Sequence, residues 1–97
     1  MSDSNHFKPI DPLTFETATA NRSRLITLLD SVQSDAIYCD LRGVQSCDSA
    51  GLAFLIDAQR LCRQRSKRWV MEYLTEDIRA LAKLYGVEQI LMTGETQ

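Results

Sequence analysis

Asp48 and Ser49 put a carboxylate and a hydroxyl side by side where an apolar helix begins, in the run Ile37-Tyr38-Cys39-Asp40-Leu41-Arg42-Gly43-Val44-Gln45-Ser46-Cys47-Asp48-Ser49-Ala50-Gly51-Leu52. Such a pair can cap the free N–H groups of the helix. It can also offer a hydroxyl for phosphorylation at a helix N-terminus, where a phosphate is electrostatically favoured. A nucleophilic site would need a histidine as well, and His6, in the polar N-terminal stretch, is the chain's single histidine. Neither Ser49 nor Cys47 can therefore be joined into a triad or dyad. Asp40 and Asp48 flank the intervening loop like paired carboxylates, yet no further acid or histidine stands near them to complete a metal site. Asp40 reads as a loop-fixing hydrogen-bond acceptor. The glycine-containing turns Arg42-Gly43-Val44 and Ser49-Ala50-Gly51 lack the Lys-Ser/Thr of a phosphate-binding loop, which argues against autonomous ATP hydrolysis. The sequence points to no enzymatic activity, no cofactor and no metal, and leaves a docking surface or a regulatory switch as the use of Asp48 and Ser49.

The elements that must position this pair belong to a small domain. At 97 residues the chain has room for one modest core and one functional surface. A net charge of −2 gives no general attraction to nucleic acid or anionic lipid, so partners must be recognised locally. No apolar run approaches the roughly 20 residues of a membrane span, and the polar start Met1-Ser2-Asp3-Ser4-Asn5 lacks the basic and apolar regions of a signal peptide. A cytoplasmic protein is the expectation. Cys39, Cys47 and Cys62 form no even set and show no C-x-x-C spacing, and they read as free thiols in a reducing compartment.

Pro9 and Pro12 interrupt the N-terminal segment, which reads as loose over residues 1–12, with Leu13-Thr14-Phe15 as a short strand. Ala18, Leu25, Leu28, Leu29 and Val32 recur at helical spacing and predict an amphipathic helix from Glu16 to Val32. Ala36 to Leu41 reads as a central strand, Ser49 to Arg65 as a second helix, and Trp69 to Leu74 as another strand. Thr75-Glu76-Asp77 caps a third helix that runs to Tyr85, with Gly86 as its stop. Val87 to Met92 is expected to supply a last strand, followed by a polar tail over 93–97. Strands alternating with helices imply an α/β domain with right-handed crossovers and a small, mostly parallel sheet.

Projecting residues 49–65 at about 100° per residue places Ala50, Phe54, Leu55, Ala58, Leu61 and Cys62 on one core stripe, with Gly51 inside it. Ser49, Leu52, Ala53, Ile56, Arg60 and Arg63 fall on a different stripe. Either neighbouring segments bury Leu52 and Ile56, or the stripe is a protein-docking patch with an apolar centre and an arginine rim. Arg60, Arg63, Arg65, Lys67 and Arg68 cluster at the end of this helix. There they suit the negative helix terminus and solvation, or contact with an acidic partner or lipid headgroups. Tyr85 shares a face with Ile78, Leu81 and Ala82 and reads as core, its hydroxyl reaching the rim.

The sequence Asp48-Ser49-Ala50-Gly51-Leu52, followed by Ala53-Phe54-Leu55-Ile56, resembles the signature of STAS domains, the family of bacterial anti-sigma-factor antagonists and transporter accessory subunits. The resemblance covers about residues 13–92, including Leu13 to Thr17 and Ile78 to Val87. It implies a small sheet with about three helices packed against it. Joined to Arg79-Ala80-Leu81-Ala82-Lys83-Leu84-Tyr85-Gly86-Val87, the motif is most similar to the small STAS subunits of the Mla phospholipid-transport systems of Gram-negative bacteria. That likeness implies a noncatalytic partner of the cytoplasmic ATPase of an ABC transporter, in a complex that includes the permease and maintains outer-membrane lipid asymmetry. The chain would then lie at the cytoplasmic side of the inner membrane through its partner, without nucleic acid, and with self-association open when isolated. Asp48, Ser49, Gly51 and Leu52 carry the motif, and Ala53, Ile56 and Arg60 extend the expected docking surface. The segment Phe7 to Pro12 is too short for the family's usual first hairpin, which implies a sheet edge trimmed or borrowed from a partner. The alternative function is an anti-sigma-factor antagonist acting by partner switching. At the position of that group's phosphorylated serine this chain has Ala50, which leaves Ser49 as the regulatory hydroxyl.

Overall fold

The computed structural model describes residues 5–93. Three parallel strands form a sheet in the order β1-β2-β3, where β1 is His6–Phe7, β2 is Ala36–Asp40 and β3 is Arg68–Glu72. The strands are joined by α1 (Phe15–Ser31) and α2 (Ser49–Gln64), and α3 (Glu76–Leu84) and α4 (Glu88–Thr93) complete the chain. The domain is α/β as expected, with four helices and a sheet that is parallel throughout.

Register and alternation decide which side of the sheet is core. Phe7 pairs with Cys39, Ile37 with Trp69 and Cys39 with Met71. This set meets Leu25 and Leu29 of α1 and Phe54, Leu55, Ala58 and Cys62 of α2 in one apolar cluster. The Phe7 ring lies 6.1 Å from Phe54 and 6.2 Å from Trp69. The alternate set, His6, Tyr38 and Val70, lines the opposite face, where the His6 and Tyr38 rings stack at 5.5 Å. Asp30 and Asp57 on the helices are joined to Arg65 and Arg22 by ion pairs.

Two expected strands are not formed. Leu13-Thr14-Phe15 does not enter the sheet: Leu13 makes a single parallel bridge with Cys47, Thr14 precedes α1, and Phe15 is its first residue. The strand lies earlier, at His6–Phe7, in the segment that reads as loose. That segment is fastened by backbone, amide and carboxylate groups. Tyr38 N–H donates to Asn5 O at 2.9 Å, Ile10 N–H donates to Asn21 Oδ1 at 2.7 Å, and Gln45 N–H donates to Asp11 Oδ1 at 2.8 Å. Asn21 is fully buried, and its amide returns a hydrogen bond to Ile10 O at 3.4 Å, so a core polar group replaces the pairing a longer strand would supply. A two-residue strand just ahead of Pro9 is too short to display alternation.

Val87 to Met92 forms α4 in place of the last strand. Val87 N–H donates to Ala82 O and Leu91 N–H to Val87 O, and Leu91 is fully buried while the Gln59 amide donates to its carbonyl. The i, i+4 pair Val87 and Leu91 carries a helical contact that the short apolar run concealed. β3 is left as an edge strand. Gly86, at φ +71°, closes α3 as expected. Tyr85, however, is 55% exposed and Leu84 77% exposed, so Tyr85 is not core. The polar tail from residue 94 and residues 1–4 lie outside the described residues.

Candidate partner-docking site

The loop between β2 and α2 is fixed at both ends by carboxylates. At its start Asp40 accepts from the Arg42 backbone N–H at 2.9 Å and from the Arg42 guanidinium at 2.8 Å. The Arg42 guanidinium also stacks over Tyr73, 4.3 Å from the ring centroid. These hydrogen bonds hold Asp40 at a pKa of about 2, below the ordinary carboxylate value. Asp40 is thus the loop-fixing acceptor expected of it.

At the end of the loop Asp48 caps two helices. Its Oδ1 accepts from Gly51 N–H at 2.9 Å as the N-cap of α2, and its Oδ2 accepts from Phe15 N–H at 3.1 Å, at the first residue of α1. The two backbone N–H groups, Gly51 first, lower its pKa. One side chain thereby locks the starts of both crossover helices together, a role that the spacing Asp48 to Gly51 disclosed for α2 but not for α1.

Gly51 is required by a close approach within the chain itself. A Cβ there would lie 1.9 Å from Leu13 O and 2.6 Å from Leu13 C. The Leu13 strap runs between two parts of the loop, its N–H donating to Ser46 O at 2.9 Å and its carbonyl accepting from Asp48 N–H at 3.2 Å. Gly51 is buried beneath it. The close neighbour is therefore Leu13, and Gly51 shapes the site without lying on its surface.

The stripe on α2 divides in two. Leu52 is buried in the apolar cluster at 3% exposure, which removes it from any docking surface. Ser49 and Ala53 are exposed, Ile56 is half-buried against the core, and Arg60 is exposed. Ser49 follows the cap and is not the cap. Asp57 joins this strip to α1, accepting from Arg60 at 2.5 Å and from Arg22 at 2.9 Å. The resulting surface has an uncharged centre at Ala53 and Ile56 and a paired arginine at its lower end. Phe15, 79% exposed at the start of α1 and tied to Asp48, stands at the same end as Ser49 and was hidden by its assignment to a strand. Its available signal was Thr17, three residues after Thr14, whose hydroxyl accepts from Thr14 N–H at 3.2 Å at the helix start.

Burial pushes the thiols of Cys47 and Cys62 up to about 11 and raises that of Cys39 further, so all three stay protonated at neutral pH. They are free thiols, as expected. Among the described residues no group of three His, Cys, Asp or Glu side chains is placed to hold a metal. The basic cluster is dispersed: Arg60 and Arg65 pair with Asp57 and Asp30, whereas Arg63, Lys67 and Arg68 line a groove beside β3.

The domain is thus a parallel α/β layer whose loop after the central strand ends in an Asp-capped helix, with a glycine under a crossing backbone. Residues 12–93 match the family described as "Mlab, STAS domain", and the chain belongs to that family. Its fold is also similar to the crystal structure of a sulfate transporter family protein from Wolinella succinogenes, with a TM-score of 0.68 and 19% sequence identity over 90% of this chain and 70% of that one. At that identity the likeness is one of fold. No curated protein matches the chain significantly. Among the described residues no helix is long and apolar enough to cross a membrane.

Proposed function

We propose that the chain is a noncatalytic STAS subunit that docks on the cytoplasmic ATPase of an ABC phospholipid transporter, in a complex with the permease that maintains outer-membrane lipid asymmetry. The observation that carries this reading is the strip Ser49, Ala53, Ile56 and Arg60, solvent-facing on a helix whose first turn is fixed by Asp48 and Gly51. Membership of the MlaB-type family supports the choice of partner. A rigid helix with a small, uncharged centre and a charged rim suits a protein interface, because little side-chain freedom is lost when it is covered. Ser49 is the regulatory position: a phosphate there would add charge beside Asp48 on the docking face and release an acidic partner. The chain reaches the inner membrane through the ATPase.

The test is affinity purification of the tagged chain from membranes of the cells in which it is native, with the retained proteins identified by mass spectrometry. Recovery of an ABC ATPase together with its permease is the expected result. Recovery of an anti-sigma-factor kinase in their place would replace the transporter by a partner-switching pathway.

A further inference from the structure

A second exposed surface borders the flank of α2 that carries Gln59 and Arg63, along the free edge of β3. In the parallel ladder Arg68 N–H donates to Asp35 O at 2.8 Å, and Glu72 O accepts from Leu41 N–H at 3.1 Å. Arg68, Val70 and Glu72 thus turn their backbone groups toward β2, and the alternation of the strand turns those of Trp69 and Met71 outward. β3 is last in the sheet order, so no strand meets that edge among the described residues. An open edge of this kind is a template for another extended chain.

The edge opens into a groove of about 720 Å³ between β3, α2 and α4. Its apolar lining comes from Trp69, Val70, Met71, Leu74 and Met92. The charged residues of the lining are all cationic: Arg63, Lys67, Arg68 and Arg79. Arg63 and Arg68 are exposed and take no part in the ion pairs among the described residues, and Arg79 reaches Glu88 at only 3.8 Å.

We propose that this groove binds an extended acidic segment of a partner polypeptide by strand addition to β3. The outward backbone groups of Trp69 and Met71 supply the main-chain hydrogen bonds. Side chains of the added strand alternate. One set meets the Trp69 and Met92 floor, and the other, acidic set meets the arginine rim. This surface adjoins the Ser49 to Arg60 strip at Arg63, and its test does not depend on the identity of the ATPase.

Trp69 is the chain's single tryptophan, so intrinsic fluorescence reports on this groove directly. The probe is an eight-residue peptide alternating valine and glutamate, blocked at both ends and titrated into the intact protein. A saturable change in Trp69 emission is expected. The affinity should fall at least tenfold when lysine replaces glutamate in the peptide, and by as much for the Arg63→Glu, Arg68→Glu double variant, whose fold is checked by circular dichroism. A peptide N-methylated at the edge-facing positions should not bind. Equal binding of the lysine peptide, of the double variant or of the N-methylated peptide would overturn the proposal. So would an equivalent fluorescence change with inorganic phosphate or with phosphatidylglycerol vesicles, which would make the groove an anion or lipid site.

Discussion

Replacing Gly51 by alanine tests the geometry on which the docking helix depends. The added Cβ would fall 1.9 Å from the Leu13 carbonyl oxygen, and the obstacle is backbone, not the tip of a flexible side chain. Overpacking of this kind costs about 1–3 kcal/mol and occasionally more. Moving Leu13 aside also weakens its hydrogen bonds to Ser46 O and Asp48 N–H, each worth about 1 kcal/mol. The better helix propensity of alanine offsets roughly 1 kcal/mol of this. The net expectation is a loss of about 2–4 kcal/mol, which for a domain of this size lowers Tm by roughly 10–25 °C. Urea and thermal unfolding, followed by circular dichroism and Trp69 fluorescence, measure it. Gly43→Ala is the internal comparison, because no atom lies within 4 Å of its would-be Cβ, and its stability should stay within about 0.5 kcal/mol of wild type. A Gly51→Ala protein as stable as wild type, or stabilised as propensity alone requires, would refute the Leu13 strap.

Leu52→Ala should cost about 2–5 kcal/mol, as for other buried leucines, while Ser49→Ala should change stability by less than about 0.5 kcal/mol; chemical denaturation of the two variants separates the core half of the stripe from the solvent-facing half. Asp40 is held at about 2 in the folded protein, below its unfolded value, so the unfolded chain binds the proton more readily. The stabilisation from its pairing with Arg42 is therefore present above about pH 4 and lost as the pH falls toward 2. Asp40→Asn should flatten that part of an acid-unfolding curve, and an unchanged curve would show that the pair is not the cause. Thiol labelling at pH 8 should be slow at Cys47, whose burial pushes its pKa to about 11, and should require unfolding at the buried Cys39 and Cys62. Rapid labelling of all three in the native protein would contradict the packing.

Long periodic segments made two of the strands and the main helices legible in the sequence. α1, β2, α2, β3 and α3 each carry enough apolar residues at one spacing to declare themselves, and their ends are marked by Asp48, Thr75 and Gly86. β1 has two residues, and its place is fixed by tertiary hydrogen bonds accepted by Asn5 and Asn21 that no local pattern announces. The six-residue run at α4 fits a strand or a helix equally until Leu91 is seen under Gln59. At the site, Asp48 and Gly51 were readable because caps and close approaches demand particular residue types. Leu52 was not, because a helical projection gives the direction in which a side chain leaves the helix and not what covers it. Tyr85 failed for the same reason in the opposite sense. The groove at β3 was invisible because it exists only when the last segment folds as a helix and leaves the strand edge open.

The central claim is that the Ser49, Ala53, Ile56 and Arg60 strip docks on a transporter ATPase, and Ala53→Arg tests it most directly, since Ala53 is exposed and its replacement leaves the core intact. Wild-type and Ala53→Arg chains, matched in circular dichroism and Tm, are compared for ATPase recovery by quantitative mass spectrometry after purification from native membranes. The account predicts that the wild-type chain retains the ABC ATPase and permease and that Ala53→Arg loses at least nine-tenths of both. Equal recovery by the two chains would contradict it and move the interface to another face of the domain.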